Sequence, residues 1–439
     1  MKSLNKRFKS SLLLYNIVLY VYFIAIRIAA LFNSKAQQWI AGRKNLLQKI
    51  QQEFDQTQRI ENGKHKKIIW LHAASLGEFE QGRPIMEAIK RQYPDCLLVL
   101  TFFSPSGYNI RKNYTVADYV YYLPLDSRRN AQQFIEAIQP DIVVFVKYEF
   151  WYYYFEVLHQ RNIPIFIISA IFRPQQHFFK WYGSLFRALL QYCEHIFVQN
   201  EESLQLLQKI GIHKVSIAGD TRLDRVFDHS ESISTIPIIE AFKGNHVLWV
   251  AGSTWPKDEE ILADFLHKSE SIHRSPSAVR RLIIAPHEIG EKHLQQIENL
   301  FKDKSIRYSS CDEQTDFQDV QVLIIDNIGL LSGIYIYGEY VYIGGGFGAG
   351  IHNTMEAAVF GRPIFFGPNY RKFQEAIDLI EVGAAYPIEG VEDFILKVAK
   401  LEQNKTLYKN AAEASRQYVL RNKGGSEVIL KKLDIYLTK

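Results

Sequence analysis

From Lys67 nearly to the C-terminus, short apolar runs alternate with helix-prone stretches, and no other pattern in the chain restricts its fold as strongly. Residues 68–72, 97–102, 142–146, 165–169 and 195–199 are apolar almost throughout, not at every second position, while residues 83–92, 129–138 and 203–210 have helical spacing. A strand with no polar side is covered on both faces, so runs of this kind between helices predict a parallel sheet sandwiched by helices. The apolar density drops around residues 220–244, and a second set follows at 247–251, 281–285, 322–325, 340–343 and 363–366. The expected class is therefore α/β, with two Rossmann-like parallel-sheet domains facing across a cleft. Ligands of such sheets bind beyond the carboxyl ends of the strands. At 439 residues the chain is long enough for both cores.

Ahead of the first sheet, an apolar run over residues 12–32 is interrupted only by Asn16 and Arg27, and follows Lys2, Lys6, Arg7 and Lys9. It reaches the roughly 20 residues that cross a hydrocarbon core, and it is longer than the apolar part of a cleaved signal peptide. A membrane anchor helix is expected, either spanning or lying at the interface, and belonging to neither sheet. Residues 37–67 read as a polar, helix-prone connector. The net charge of +5 suits an anionic membrane or substrate, and no nucleic-acid-binding pattern is present. Cys96, Cys193 and Cys311 have neither disulfide nor zinc spacing, which fits a reducing compartment.

The most ligand-like stretch is Val341-Tyr-Ile-Gly-Gly-Gly-Phe-Gly-Ala-Gly-Ile-His-Asn-Thr-Met-Glu356. It reads as strand, glycine loop and helix beginning near Asn353, an arrangement whose N–H groups and helix dipole favour a phosphate. His352 and Asn353 add hydrogen-bonding side chains, and Glu356 could accept bonds from sugar hydroxyls. A P-loop is excluded because Ile351 follows Gly350 where lysine is required. A dinucleotide site is disfavoured because the next strand runs into Gly367-Pro368, with no carboxylate for the ribose.

Two carboxylates are expected at the rim of the first sheet. Glu78 follows the first strand in a loop before a helix expected after Gly82-Arg83-Pro84, and Glu149 follows the third apolar run in Lys147-Tyr148-Glu149-Phe150-Trp151. A carboxylate beyond a strand end suits a general base. In the second half, Ala251-Gly252-Ser253-Thr254 and Pro286-His287-Glu288 occupy equivalent loops. The chain contains no Asp-x-Asp, the usual metal motif for sugar diphosphates, so no metal and no cofactor are expected.

Read in order, Ile69-Trp70-Leu71-His72-Ala73-Ala74-Ser75-Leu76-Gly77-Glu78, Ser104-Pro105-Ser106-Gly107, Tyr122-Leu123-Pro124-Leu125-Asp126, Glu149-Phe150-Trp151, Gln199-Asn200-Glu201-Glu202, Ala251-Gly252-Ser253-Thr254, Gly344-Gly345 with His352-Asn353 and Glu356, and Gly367-Pro368 resemble the 3-deoxy-D-manno-octulosonic acid (Kdo) transferases. The resemblance covers nearly the whole chain. It implies a GT-B, inverting, metal-independent glycosyltransferase that moves Kdo from CMP-Kdo to the lipid A precursor, lipid IVA, in lipopolysaccharide biosynthesis, at the cytoplasmic face of the bacterial inner membrane. It also implies Glu78 as catalytic base, Glu149, Ser75 and Gly77 on the acceptor side, and Ser253, Gly345, Gly346, His352, Asn353 and Glu356 as donor contacts. The corresponding domains are an anchor over 1–36, an acceptor-binding domain over 37–225 and a CMP-Kdo-binding domain with terminal helices over 226–439. The chain departs from the family pattern in having Lys147, Pro286-His287-Glu288 and Gly329-Leu330-Leu331 where a glutamate, Pro-Arg-His and Gly-Glu-Leu are common. A GT-B enzyme using another nucleotide sugar, and a non-catalytic membrane-associated sugar-nucleotide-binding protein, are the alternatives.

Overall fold

The computed structural model describes residues 6–56, 60–61, 64–272 and 280–438. Lys2 of the basic flank, and residues 57–59 and 62–63 of the connector, lie outside the described residues. The chain forms two compact units, residues 1–224 with 423–439, and residues 225–422.

Unit 1 is built on β1 (Ile68–Ala73), β2 (Leu97–Phe102), β3 (Tyr119–Tyr122), β4 (Ile142–Val146), β5 (Ile165–Ala170), β6 (His195–Val198) and β7 (Val215–Ile217). The sheet is wholly parallel, in the order β3-β2-β1-β4-β5-β6-β7. The interior strand β1 is buried along its entire length, and its side chains alternate between two cores. Ile68 and Trp70 join one; Ile69, Leu71 and Ala73 join the other. Trp70 meets the rings of Phe134, Phe145 and Tyr154 edge-on, at centroid separations of 4.9, 5.4 and 5.6 Å.

The apolar N-terminal run forms α1 (Lys6–Ala29), which is long and apolar enough to cross a membrane. It does not stand apart from the first sheet as expected. Phe8, Tyr15 and Tyr22 recur every seven residues and so share one face. Phe8 and Tyr15 each lie 6.1 Å from the Tyr152 ring, and Tyr22 lies 6.2 Å from the rings of both Trp39 and Phe103. The Tyr15 hydroxyl donates to buried Asp126 at 2.5 Å, and Asp126 also accepts from the Tyr153 and Tyr154 backbone N–H groups. That carboxylate therefore fastens α1 to the first turn of α3 (Tyr152–Gln160). The opposite face exposes Leu13, Leu14, Ile17, Val18, Val21 and Ile28. Between β1 and β2 runs α2 (Leu76–Gln92), which begins directly after Ser75 and carries Pro84 in its interior. The expected helix start after Pro84 is thus too late: Ser75 has the extended backbone of an N-cap, and the tertiary packing of Phe79 tolerates the one missing helical N–H.

Unit 2 contains β8 (Val247–Thr254), β9 (Arg280–Pro286), β10 (Ser305–Arg307), β11 (Val322–Ile324), β12 (Tyr340–Ile343), β13 (Ile364–Phe366) and β14 (Ala385–Pro387), again parallel, in the order β10-β11-β9-β8-β12-β13-β14. Its core centres on Trp249, stacked on Tyr340 at 4.6 Å. After β8 comes α4 (Pro256–Ile272); after the glycine loop comes α5 (Met355–Ala358). The last helix, α6 (Gly425–Leu437), departs from the expectation that the terminal helices complete the second domain. Ile429, Leu433 and Leu437 are buried in a core of unit 1. Asp224 accepts the N–H groups of Gly424 and Ser426 at 2.5 and 2.6 Å, and a side chain at Gly425 would meet the Ala218 carbonyl at 2.0 Å.

Candidate active site

On unit 1 the site residues gather beyond the carboxyl ends of β1 and β4. Glu78 lies in the first turn of α2, not in a loop, and accepts the Ser75 hydroxyl. Gly77 beside it is exposed, and a Cβ there would meet only the Ser75 hydroxyl, at 3.9 Å. After β4 the chain turns through Lys147, a non-glycine residue with φ of 62°, and presents Glu149 with 16% of its side chain exposed. Glu149 Oε2 accepts the Trp151 indole N–H at 2.9 Å and lies 3.3 Å from His72 Nε2. Sequence reasoning did not single out His72 or Trp151 as partners of Glu149, because neither the β1 end nor the β4 turn announces the other in the sequence.

On unit 2 the penultimate residue of β8, Ser253, is another non-glycine residue in the left-handed region, with φ of 54°. A Cβ at Gly344 would lie 2.2 Å from the Ser253 carbonyl, and one at Gly346 would lie 2.5 Å from the Gly367 nitrogen. These two glycines serve close packing between loops. The Gly345 N–H is also committed: it donates to buried Asp258 at 2.8 Å, as do the Trp255 N–H at 2.9 Å and the Tyr342 hydroxyl at 2.7 Å. Gly345 therefore shapes the loop without offering its own N–H to a phosphate. Burial pushes the Asp258 carboxyl above its ordinary pKa, while those three donors hold it down. The Gly346 N–H takes no acceptor among the described residues.

The helix expected to follow this loop near Asn353 begins at Met355 and is a single turn, α5. Asn353 bridges the gap, donating to Glu356 at 2.9 Å and accepting from the Met355 N–H at 3.1 Å. One turn has little macrodipole, so anion binding here depends on side chains and loop N–H groups. His352 lies face to face with His287 at 4.4 Å, and His287 stacks on Trp255 at 4.8 Å. Burial, with the His287 neighbour, lowers the His352 pKa to about 4, and the Trp255 indole N–H is 3.2 Å from its Nε2. Glu356 lines a cavity of about 270 Å³ together with Arg225, His229, Gly329, Ser332 and Phe360. His229 and Ser332 are 3.0 Å apart across it.

Residues 48–225 match the family model of 3-deoxy-D-manno-octulosonic-acid transferase (kdotransferase). The chain is 25% identical to a 3-deoxy-D-manno-octulosonic acid transferase of Haemophilus influenzae, over 84% of this chain and 87% of that protein. It is 24% identical to the transferase of the same name from Aquifex aeolicus, over 76% and 86%. Residues 48–225 of this chain thus match the Kdo transferase model, and proteins of that name resemble the chain over most of its length. The chain is a glycosyltransferase, and the Kdo transferases act in lipopolysaccharide biosynthesis. A bifunctional glycosyltransferase/methyltransferase of Fusobacterium nucleatum is 22% identical over 78% of the chain, which spans only 54% of that longer relative. Among solved structures, a UDP-GlcNAc 2-epimerase of Neisseria meningitidis bound to UDP-GlcNAc has a TM-score of 0.57 at 15% identity, covering 84% of this chain and 99% of that one. A glycosyltransferase of Rickettsia africae has a TM-score of 0.54 at 14%, covering 85% and 98%. These likenesses concern the fold.

In this Kdo transferase relative, Ser75, Gly77, Glu78 and Glu149 follow strands β1 and β4 of one sheet, while Ser253 lies near the end of β8, Gly345, Gly346, His352 and Asn353 in the loop after β12, and Glu356 in α5. Asp258, which binds the Trp255 N–H, was missed. Its signal was a helix start, with Pro256 at the first position and acids in the first turn.

Proposed function

We propose that the protein transfers Kdo from CMP-Kdo to a lipid A precursor, lipid IVA, with inversion at the anomeric carbon and without a bound metal, at the cytoplasmic face of the bacterial inner membrane. The acceptor hydroxyl attacks the anomeric carbon of Kdo, the bond from that carbon to the CMP phosphate oxygen breaks, and Glu78 takes the hydroxyl proton. Glu149, with Ser75 and Gly77, holds the acceptor; Ser253, Gly346, His352, Asn353 and Glu356 hold the donor, and Gly345 keeps their loop in shape. The observation that carries this reading is the partly exposed Glu78 at a strand-to-helix junction within the family-matched residues 48–225. The apolar face of α1 supplies the membrane contact. Its attachment along unit 1 through Tyr15 and Asp126 favours a helix lying in the interface over one that spans.

The test is to incubate the purified protein and lipid IVA with CMP-Kdo or with UDP-sugars. Release of CMP together with a lipid heavier by one or more Kdo units supports the proposal. Turnover of a UDP-sugar instead, or binding of CMP-Kdo with no turnover, overturns it in favour of another donor or of a binding protein.

A further inference from the structure

Fully buried His72, the penultimate residue of β1, touches Glu149 at one ring nitrogen and Thr101 at the other. The Trp70 indole N–H donates to Thr101 Oγ1 at 2.8 Å, which leaves the threonine hydroxyl proton to be given to a further acceptor. His72 Nδ1 is 2.9 Å from that hydroxyl, while Nε2 is 3.3 Å from Glu149 Oε2. An ionised carboxylate only accepts hydrogen bonds, so a bond between Nε2 and Glu149 requires the proton on Nε2. Nδ1 is also 3.1 Å from the Thr101 carbonyl oxygen and the Trp151 indole N–H is 3.3 Å from Nε2, contacts that suit the opposite tautomer, but each is longer than its competitor: the Thr101 hydroxyl is 2.9 Å from Nδ1 and Glu149 Oε2 is 2.9 Å from the indole nitrogen, so the shorter pairings select Nε2–H. Trp151 occupies the same carboxylate oxygen at 2.9 Å, and Oε1 accepts no hydrogen bond among the described residues. Glu149 thus has one oxygen tied to the protein and one open to an incoming donor.

We propose that His72 is a positioning residue, acting through Nε2–H on Glu149 Oε2 so that Oε1 is presented to the acceptor hydroxyl. A buried imidazole whose other nitrogen is fixed by Thr101 holds the carboxylate in one orientation without entering the chemistry. The role in acceptor binding rests on the transferase reading above. The Nε2–H tautomer does not, and can be measured without substrate.

The experiment compares His72→Leu, His72→Gln, Glu149→Gln and the double variant His72→Leu/Glu149→Gln, measuring transfer, CMP-Kdo binding and thermal stability, with imidazole ¹⁵N shifts recorded for the parent protein. His72→Leu should reduce kcat/KM for the acceptor by about tenfold or more, mostly through KM, with CMP-Kdo affinity unchanged. His72→Gln, whose amide N–H can reach the same oxygen, should recover most of the loss, and the double variant should be no worse than Glu149→Gln alone. The ¹⁵N shifts should report the Nε2–H form. If His72→Leu fails to fold, Thr101→Val and Trp151→Phe probe the two ends of the same chain, and each should raise the acceptor KM. Additive losses in the double variant, no recovery by glutamine, or an Nδ1–H tautomer would overturn the proposal. If the parent protein transfers no Kdo, the functional reading fails, and the tautomer still decides the geometry.

Discussion

His352 has its acid–base behaviour strongly altered by its surroundings in the candidate donor site. Its folded pKa of about 4 lies below the ordinary histidine value of about 6.5, because burial and the facing His287 disfavour the charged ring. Between those two pH values the unfolded chain binds a proton that the folded chain does not, so this ring makes stability fall as pH drops through the window. His352→Asn should therefore show a shallower loss of thermal stability from pH 7 to pH 4.5 than the parent. Parallel curves would contradict the assigned environment. His352 and Asn353 were legible in sequence as polar residues closing a glycine loop. Asp258, which organises that loop from α4, was not, because its three bonds depend on β8 and β12 lying side by side, a contact between residues far apart in the chain.

At the scale of elements, most of the central strands were legible, since burial on both faces writes a continuous apolar run. The edge strands β3, β7, β10 and β14 were not. They are three or four residues long and only partly buried, so they carry little periodic signal. The attachment of α1 was hidden for a different reason: aromatic residues at seven-residue spacing vanish inside a run that is apolar all round. That attachment has a consequence for the site. Tyr22 stacks on Phe103, and Phe103 lies 4.7 Å from Trp151, the indole that holds Glu149. Removing residues 1–32 should thus weaken unit 1 and acceptor turnover as well as release the protein from membranes. Tyr15→Phe isolates the contribution of one bond to a buried carboxylate, which should lower the urea-unfolding stability by roughly 1–3 kcal/mol. A truncated protein with undiminished stability and turnover on detergent-solubilised acceptor would show α1 to be an anchor alone.

For the molecule as a whole, the two-sheet plan followed from the sequence, but the return of the chain to unit 1 did not. No residue near Asn422 marks a change of unit, and the contacts that decide it, Asp224 with Gly424 and Ser426, join positions some 200 residues apart. Asp224→Ala should raise hydrogen-exchange rates selectively across α6, with the β8–β14 sheet unaffected; uniform exchange throughout the chain would contradict the assignment of α6 to unit 1. The central claim is that a glycosyltransferase built on these two sheets uses Glu78 as its base, and Glu78→Gln tests it most directly because it keeps the side chain's size and removes its basicity. Measured on one preparation, Kdo transfer from CMP-Kdo to lipid IVA should fall by about 10² to 10⁴ while CMP-Kdo affinity and thermal stability stay at parent values. Near-parent turnover in Glu78→Gln, with Glu149→Gln inactive, would contradict the account and exchange the roles of the two carboxylates.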